Sequence, residues 1–450
     1  MANTQWYRSL AADNNALLYL PNDPMTPELV AEISEPALPS PCPPFMVVGW
    51  AGTSGIPGTP QYQASQVYCT IATALRIVQS HLKTPMTKFF GTDKLVAFPR
   101  AGNAFNAYYD RVSLRFFYNA DPKTRKVVFA AESPDVVSHE LGHGILDTIR
   151  PDLWNTASLE IFAFHEAFGD IMAVCSAFEW PACCELVLRE THGDIAKPNC
   201  VSRIAQELGI ALFRLTNGRK GYEDCLRNLA NDYNYCAPDS LPANGPIIKE
   251  SHSFSQIFSG TWYAALAEVY KTIMLDGGVK PVEALKKARD VMLHVLLDGT
   301  IHAIECHEFF QAVATSMLFS AAKYEGGRFA DVIRSTFVRR NIHPKPPTLH
   351  LNSTSTIDDS VAGHKAHVDL DKPVLGHRRI VVHLPKFAQA VRPLMDEDSN
   401  RLCLSLSLEA VKYAQKHNLV GQPGDHKMYA IENGRFVRNY VCEGFCKSNI

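Results

Sequence analysis

Two short stretches of the chain carry residue types that can hold and use a metal ion. One runs from Ser133-Pro134-Asp135 through His139-Glu140-Leu141-Gly142-His143 to Asp147; the other is His165-Glu166-Ala167-Phe168-Gly169-Asp170. Histidines four apart on a helix share a face about one turn apart. His139 and His143 can therefore aim both imidazoles at one ion, at Zn–N distances of roughly 2.0–2.1 Å. Glu140 lies one step round the helix, off the ligand line yet within reach of a water beside the ion, the position of a general base. A third ligand is needed, and Glu166 on the next helix is the candidate. Asp170, one turn further on, can accept the second ring N–H of a ligand histidine and fix its tautomer. The rest of that helix is largely apolar (Ile161, Phe162, Phe168, Ile171, Met172, Val174). Two carboxylates in such a setting are costly to bury unless a cation or hydrogen bonds compensate. With 17 His in 450 residues, the five-residue His-Glu-x-x-His pattern arises by chance in roughly three such chains per hundred. The weight of the reading therefore rests on Glu166 and Asp170.

The elements that must position these residues are legible. Ser133 suits a helix N-cap, Pro134 the first helical position and Asp135 the positive end of the dipole; Pro151 ends that helix. A second helix is predicted from near Ser158 to before Pro181. Upstream, apolar spacing predicts a helix over 65–83, an aromatic-rich strand region over 105–118 and a neighbouring strand over 126–130. Downstream, amphipathic helices are predicted at 201–215, 255–275, 281–297, 305–320 and 329–338. Residues 1–64 are rich in Pro and Gly and read as an irregular lead-in. The expected division is a strand-rich lobe over 65–151 ending in the metal helix, a helical lobe over 152–342, a linker over 343–356 (Pro344, Pro346, Pro347), and an appended α+β module over 357–450. That module is expected to hold strands at 379–383 and 428–431 and a helix at 408–417.

Bulk properties narrow the function classes. The length implies two or three cores. Hydrophobic residues at 46% and charged residues at 20% are the balance of a soluble globular chain. The formal net charge is -2 and Lys and Arg do not cluster, so neither a nucleic-acid nor a membrane surface is expected. No apolar run is long enough to span a bilayer and no Sec-type signal peptide opens the chain, giving a cytoplasmic expectation by default, with a non-Sec export route left open. The 12 Cys contain no C-x-x-C pair and are expected reduced.

The motif region resembles the thermolysin-type (gluzincin) zinc metallopeptidases. Asp135-Val136-Val137-Ser138-His139-Glu140-Leu141-Gly142-His143 resembles their signature helix, and Glu166-Ala167-Phe168-Gly169-Asp170 their E-x-x-x-D helix. His252-Ser253-Phe254-Ser255-Gln256-Ile257-Phe258 with Tyr263 is similar to the segment holding the family's transition-state histidine. Asn106-Ala107-Tyr108-Tyr109 followed by Leu114 is similar to its substrate-binding edge strand, and Cys225-Leu226-Arg227-Asn228 to the segment bearing its substrate-binding arginine. The resemblance covers about 65–342. It implies an α+β fold of two lobes with zinc between them, held by His139, His143 and Glu166. It also implies Glu140 and His252 as catalytic residues, Asp170 behind the ligands, and Asn106, Ala107, Arg227, Val136 and Leu226 against a peptide or protein substrate. Val136 and Leu226 are both apolar, which implies a preference for a bulky hydrophobic residue after the scissile bond.

The chain also departs from that pattern. The connection from His143 to Glu166 holds 22 residues, longer than usual. Ile247 stands where the family places an aspartate that orients its histidine, so either Glu250 substitutes for it or the histidine is less well held. Trp154 lies near the place of the family's catalytic-site tyrosine. Calcium stays open: Asp135 matches one of the family's ligands, Ala177 replaces another, and Glu179, Glu185 and Glu190 lie nearby. Family members carry a signal and a pro-segment, and this chain shows neither. An exopeptidase of the related aminopeptidase type is disfavoured by the lack of a Gly-x-Met-Glu-Asn strand. A specialised amide hydrolase with one narrow peptide or metabolite substrate, and a non-catalytic zinc-binding interaction protein, remain as alternatives. Oligomeric state is unknown from sequence.

Overall fold

The computed structural model describes residues 17–155, 158–242, 245–306 and 308–344, and the backbone of five further strands between 365 and 438. It is a mixed α+β structure. Two short strands, β1 (Leu17–Tyr19) and β2 (Ala31–Ile33), pair antiparallel. A four-stranded sheet follows in the order β3-β4-β6-β5, built from Phe45–Val47, Leu95–Phe98, Ser113–Phe116 and Ala107–Tyr109. β3–β4 and β4–β6 run parallel and β5–β6 antiparallel, so β5 is an edge strand. The lead-in is thus less irregular than its Pro and Gly content suggested, since it supplies β3.

The region over 105–118 reads as one aromatic run in sequence but turns back on itself. Asp110 Oδ1 accepts from the N–H groups of Ser113 at 2.6 Å and Val112 at 3.2 Å, and Arg111 takes a positive φ of 74°. No Asn-Gly or Gly signal marked that hairpin. β7 (Tyr118–Ala120) and β8 (Val127–Phe129) then pair antiparallel.

Helix α1 (Pro60–His81) packs beneath α2 (Pro134–Ile149), the first motif helix. The second, α3 (Leu159–Ala177), is buried along its whole length and packs on α2, α6 (Ser251–Leu275) and α8 (Phe309–Lys323). Around it lie α4 (Pro181–Glu190), α5 (Gln206–Leu215), α7 (Pro281–His302) and α9 (Ala330–Arg339). The helices predicted up to residue 338 are found, with three differences. Residues 203–204 form β9, paired with β10 (Arg227–Asn228), instead of opening a helix. α4 was not foreseen, because Pro181 read as a stop and serves instead as an N1 proline. Ser133 sits at the N-cap of α2 with extended backbone, but its hydroxyl makes no capping bond.

Further on, β11 (Lys365–Val374), β12 (His377–His383), β13 (Val420–Gly421), β14 (Tyr429–Glu432) and β15 (Arg435–Arg438) form a sheet in the order β11-β12-β15-β14-β13. Two of them overlap the predicted strands; the predicted helix at 408–417 lies outside the described residues. No single described helix is long and apolar enough to cross a membrane. The pair α3 and α4 passes by composition but is bent by 101°, and α3's apolarity is that of a core helix.

The feature that positions the site is the crossing of α2 and α3. A Cβ added at Gly142 would stand 2.9 Å from Gly169 Cα and 3.3 Å from Met172 Cβ. One added at Gly169 would stand 2.6 Å from His139 Nδ1. Two glycines therefore let the backbones approach until residues on both helices meet around one point. Gly142→Ala should force the helices apart at a cost of about 1–3 kcal/mol and weaken metal binding along with stability. Denaturant unfolding and metal titration would measure both; a variant matching wild type in each would refute the close-approach argument.

Candidate metal centre

α2 presents His139 and His143 on one face, and α3 presents Glu166 across the glycine crossing. One ligand atom from each of the three lies within 4.8 Å of the others, and all three residues are buried. His139 Nε2 is 3.3 Å and His143 Nε2 3.7 Å from the Glu166 carboxylate. The two imidazoles stand at 90° to one another, so their nitrogens converge without the rings stacking. Among the described residues this is the one group that could hold a metal ion.

The charges fit that use. Burial drives His143 down to about 3, which keeps its imidazole neutral and available as a donor. Burial also opposes charge on His139, but the Asp170 and Glu166 carboxylates outweigh it and push His139 up to about 9 in the metal-free protein. Burial opposes ionisation of Glu166, yet His252, His143 and His139 hold it well below the ordinary carboxylate range. Neither ring nitrogen of His143 has a hydrogen-bond partner among the described residues. A converging, buried His₂Glu set can hold a metal ion, and its nitrogen and oxygen donors are of the kind zinc takes.

Behind the ligands runs a chain of buried polar contacts. His139 Nδ1 and Asp170 Oδ1 are 2.9 Å apart, so Asp170 fixes the tautomer as its spacing suggested. Arg227, on β10, clamps the same carboxylate with two bonds, Nε to Oδ2 at 2.7 Å and Nη2 to Oδ1 at 2.6 Å. Planar bidentate pairing of this kind is geometrically demanding. It makes Arg227 a holder of Asp170, whatever it also offers to a substrate.

Glu140 is fully buried, and neither carboxylate oxygen has a hydrogen-bond partner among the described residues. Burial pushes it up to about 7, where a general base works best near neutral pH. His252, in the first turn of α6, brings Nε2 to 3.5 Å from Glu166 Oε2. Its Nδ1 hydrogen-bonds Glu250. Glu250 is also the N-cap of α6, accepting from the N–H groups of His252 at 3.1 Å and Ser253 at 2.9 Å. Ile247, in the place of the expected aspartate, is buried, and Glu250 orients the imidazole from two residues away. Burial disfavours a charged His252, but Glu166 and Glu250 overcome it and push it up to about 10.

The remaining expected residues are distributed as follows. Ala107 begins edge strand β5, and Asn106 just before it accepts from Phe117 N–H at 3.0 Å through its backbone carbonyl. Val136 is fully buried in the core, while Leu226 is partly exposed. Glu179, suggested for calcium, is instead bonded by Arg289 at 2.8 Å and Arg76 at 3.0 Å. Glu190 accepts from Cys200 N–H at 2.8 Å. Asp135 is engaged elsewhere, through Ala205 N–H at 2.6 Å. These carboxylates do not gather around one point.

Sequence reasoning passed over Asp147, one turn beyond His143. Buried, it accepts from the Tyr109 hydroxyl at 3.0 Å and Arg111 Nη2 at 2.7 Å, tying β5 to the metal helix. Trp154 packs edge-on against Tyr109 and His165 and beneath the Arg111 guanidinium. A lone aspartate inside an apolar helix stretch was the available signal. With this geometry established, comparison with known proteins adds no family: no protein-family model matches the chain, and no curated protein matches it.

A metal takes the neutral form of His139, which in the metal-free protein carries a proton below about pH 9. Binding should therefore release a proton, and apparent affinity should rise with pH, by up to about tenfold per unit below that value. Calorimetry in buffers of different ionisation enthalpy reads the proton directly. Affinity independent of pH would contradict the charge assignment.

Proposed function

We propose that the chain is a zinc-dependent metalloendopeptidase with a two-lobed, thermolysin-like arrangement, hydrolysing internal peptide bonds of a peptide or protein substrate. The observation that carries this reading is Glu140. Its carboxylate is buried beside the ligand set with no hydrogen-bond partner among the described residues, and burial pushes it up to about 7. A purely structural metal site would give no reason to bury that group there, since burying an unsatisfied carboxyl is costly.

When bound, zinc supplies a Lewis acid for the scissile carbonyl and lowers the pKa of water toward neutrality. Glu140 takes the proton from the attacking water and passes it to the departing amine. His252, held charged by Glu166 and Glu250, donates from Nε2 to the carbonyl oxygen as negative charge develops there. Asp170 and Arg227 keep His139 in the tautomer that leaves Nε2 for the ion. Among the described residues no strand pairs with the outer edge of β5, along which an extended substrate adds as a strand beside Asn106 and Ala107. Leu226 offers a partly exposed apolar surface for the residue after the scissile bond, while Val136 is fully buried in the core.

Glu140→Gln should keep one metal per chain and abolish cleavage of an N-terminally blocked peptide. His252→Ala should lower kcat at least about a hundredfold with metal retained, the size of effect seen when one oxyanion donor is lost. Full activity in Glu140→Gln would end the proposal. Metal retained by wild type with no cleavage of any substrate, blocked or specialised, would favour a binding role. A peptide library should show a bulky hydrophobic residue preferred after the cut, and a charged preference there would contradict the pocket assignment.

A further inference from the structure

The N-terminal segment and the metal helix meet at two buried aspartates. Asp23 and Asp135 are both shut off from solvent, and the Ser133 hydroxyl lies between them. Its Oγ is 2.8 Å from Asp23 Oδ2 and also hydrogen-bonds Asp135 Oδ1. A serine hydroxyl carries one hydrogen and can donate it to one of these oxygens. The other contact is a hydrogen bond only if the facing carboxyl brings its own proton and Ser133 Oγ accepts it.

The remaining partners do not remove that requirement. Asp135 accepts from Val136 N–H at 2.8 Å and Ala205 N–H at 2.6 Å, and Asp23 from Met25 N–H at 2.9 Å and Glu207 N–H at 3.2 Å. These bonds support the carboxyl groups without supplying a full positive charge. The charged groups facing the pair are Glu207, on the first turn of α5, and Lys126, which leads into β8. Lys126 Nζ is 2.5 Å from Glu207 and is thereby engaged. Glu132, in the turn before α2, adds a further carboxyl bonded to Gln63 and Gly58.

We propose that Asp23, Ser133 and Asp135 form a one-proton latch that fastens segment 22–29 to the first turn of the metal helix and to the start of α5. The proton binds the three elements at once. Ala205, in left-handed conformation at φ 51°, turns its N–H toward Asp135, and the neighbouring Ile204 carbonyl accepts from Leu226 N–H at 3.0 Å. The latch therefore reaches the strand that carries Arg227. This arrangement does not depend on the peptidase reading.

The sign of its pH dependence follows. Burial first, then the charges of Asp135 and Glu207, hold Asp23 well above the ordinary carboxylate value, and burial raises Asp135. A carboxyl whose folded value is raised gives stability that is present at low pH and lost as pH rises through that value. The latch is closed in acid and loosens in base, while the rest of the segment stays anchored through Gln66, which bonds Leu18 and Leu20.

Hydrogen exchange on the full chain tests this, with protection factors corrected for intrinsic exchange at each pH. Protection at Met25, Thr26 and Leu29 should fall by up to about tenfold per pH unit between the ordinary carboxylate value and the raised value of the closed latch, the slope of one proton, and level off above it. Asp23→Asn, whose amide can donate in place of the carboxyl proton, should keep protection high and flat. Infrared difference spectra between wild type and Asp23→Asn, or Asp135→Asn if the first variant misfolds, should show one protonated-carboxyl band lost. Flat protection in wild type, an unchanged slope in the variant, or no such band would each overturn the latch. If neither variant folds, the wild-type exchange slope alone decides.

Discussion

The close crossing of α2 and α3 is the constraint on which the candidate site depends. His139 and His143 are fixed relative to each other by helix geometry alone, but Glu166 belongs to a different helix. Only an approach near the Gly142–Gly169 contact brings its carboxylate to 3.3 Å from His139 Nε2. The same approach sets His139 Nδ1 against Asp170. Packing and chemistry are therefore set by one contact: whatever widens the crossing pulls apart the ligands and the hydrogen bond that orients them.

The charges gathered at the crossing explain why so much of the surrounding structure is polar and buried. Glu140, Glu166 and Asp170 bring three carboxyl groups into an apolar core, and Arg227 clamps one of them, Asp170. The deficit is met in the metal-free protein by protons: His139 and His252 are pushed up and Glu140 is held near neutral. A divalent cation settles the same deficit with one ion. Removing either partner of the Arg227–Asp170 pair would leave a buried charge uncompensated, which costs far more than the intact pair contributes.

Much of this was legible in the sequence because helical periodicity is exact enough to place side chains. Spacing put His139 and His143 on one helix face and Glu166 and Asp170 on another, the resemblance suggested that the two faces meet, and Pro134 and Pro151 bounded the first motif helix. Contacts between elements distant in sequence were not legible. The one local signal at Asp147, an aspartate inside an apolar helix stretch, does not name its partners, yet it ties β5 to α2. Arg227 was expected at a substrate, and its bidentate hold on Asp170 depends on β9 and β10 pairing, which the helical pattern over 201–215 concealed. The turn at Asp110 lacked glycine because Arg111 itself adopts the left-handed conformation. Glycine's part was legible only in reverse: Gly142 and Gly169 look like weak points in helices until the partner backbone is placed.

Glu250 has a consequence of a different kind. One carboxylate both closes the first turn of α6 and aligns His252, so the imidazole's orientation shares the fate of a helix end. Helix ends open locally at far lower free energy than the core. Warming should therefore disorder the His252 alignment while α3 and the metal ligands, locked in the interior, remain folded. Such a protein would be switched off by fraying before it melts, and the fraying would reverse on cooling as long as the core holds.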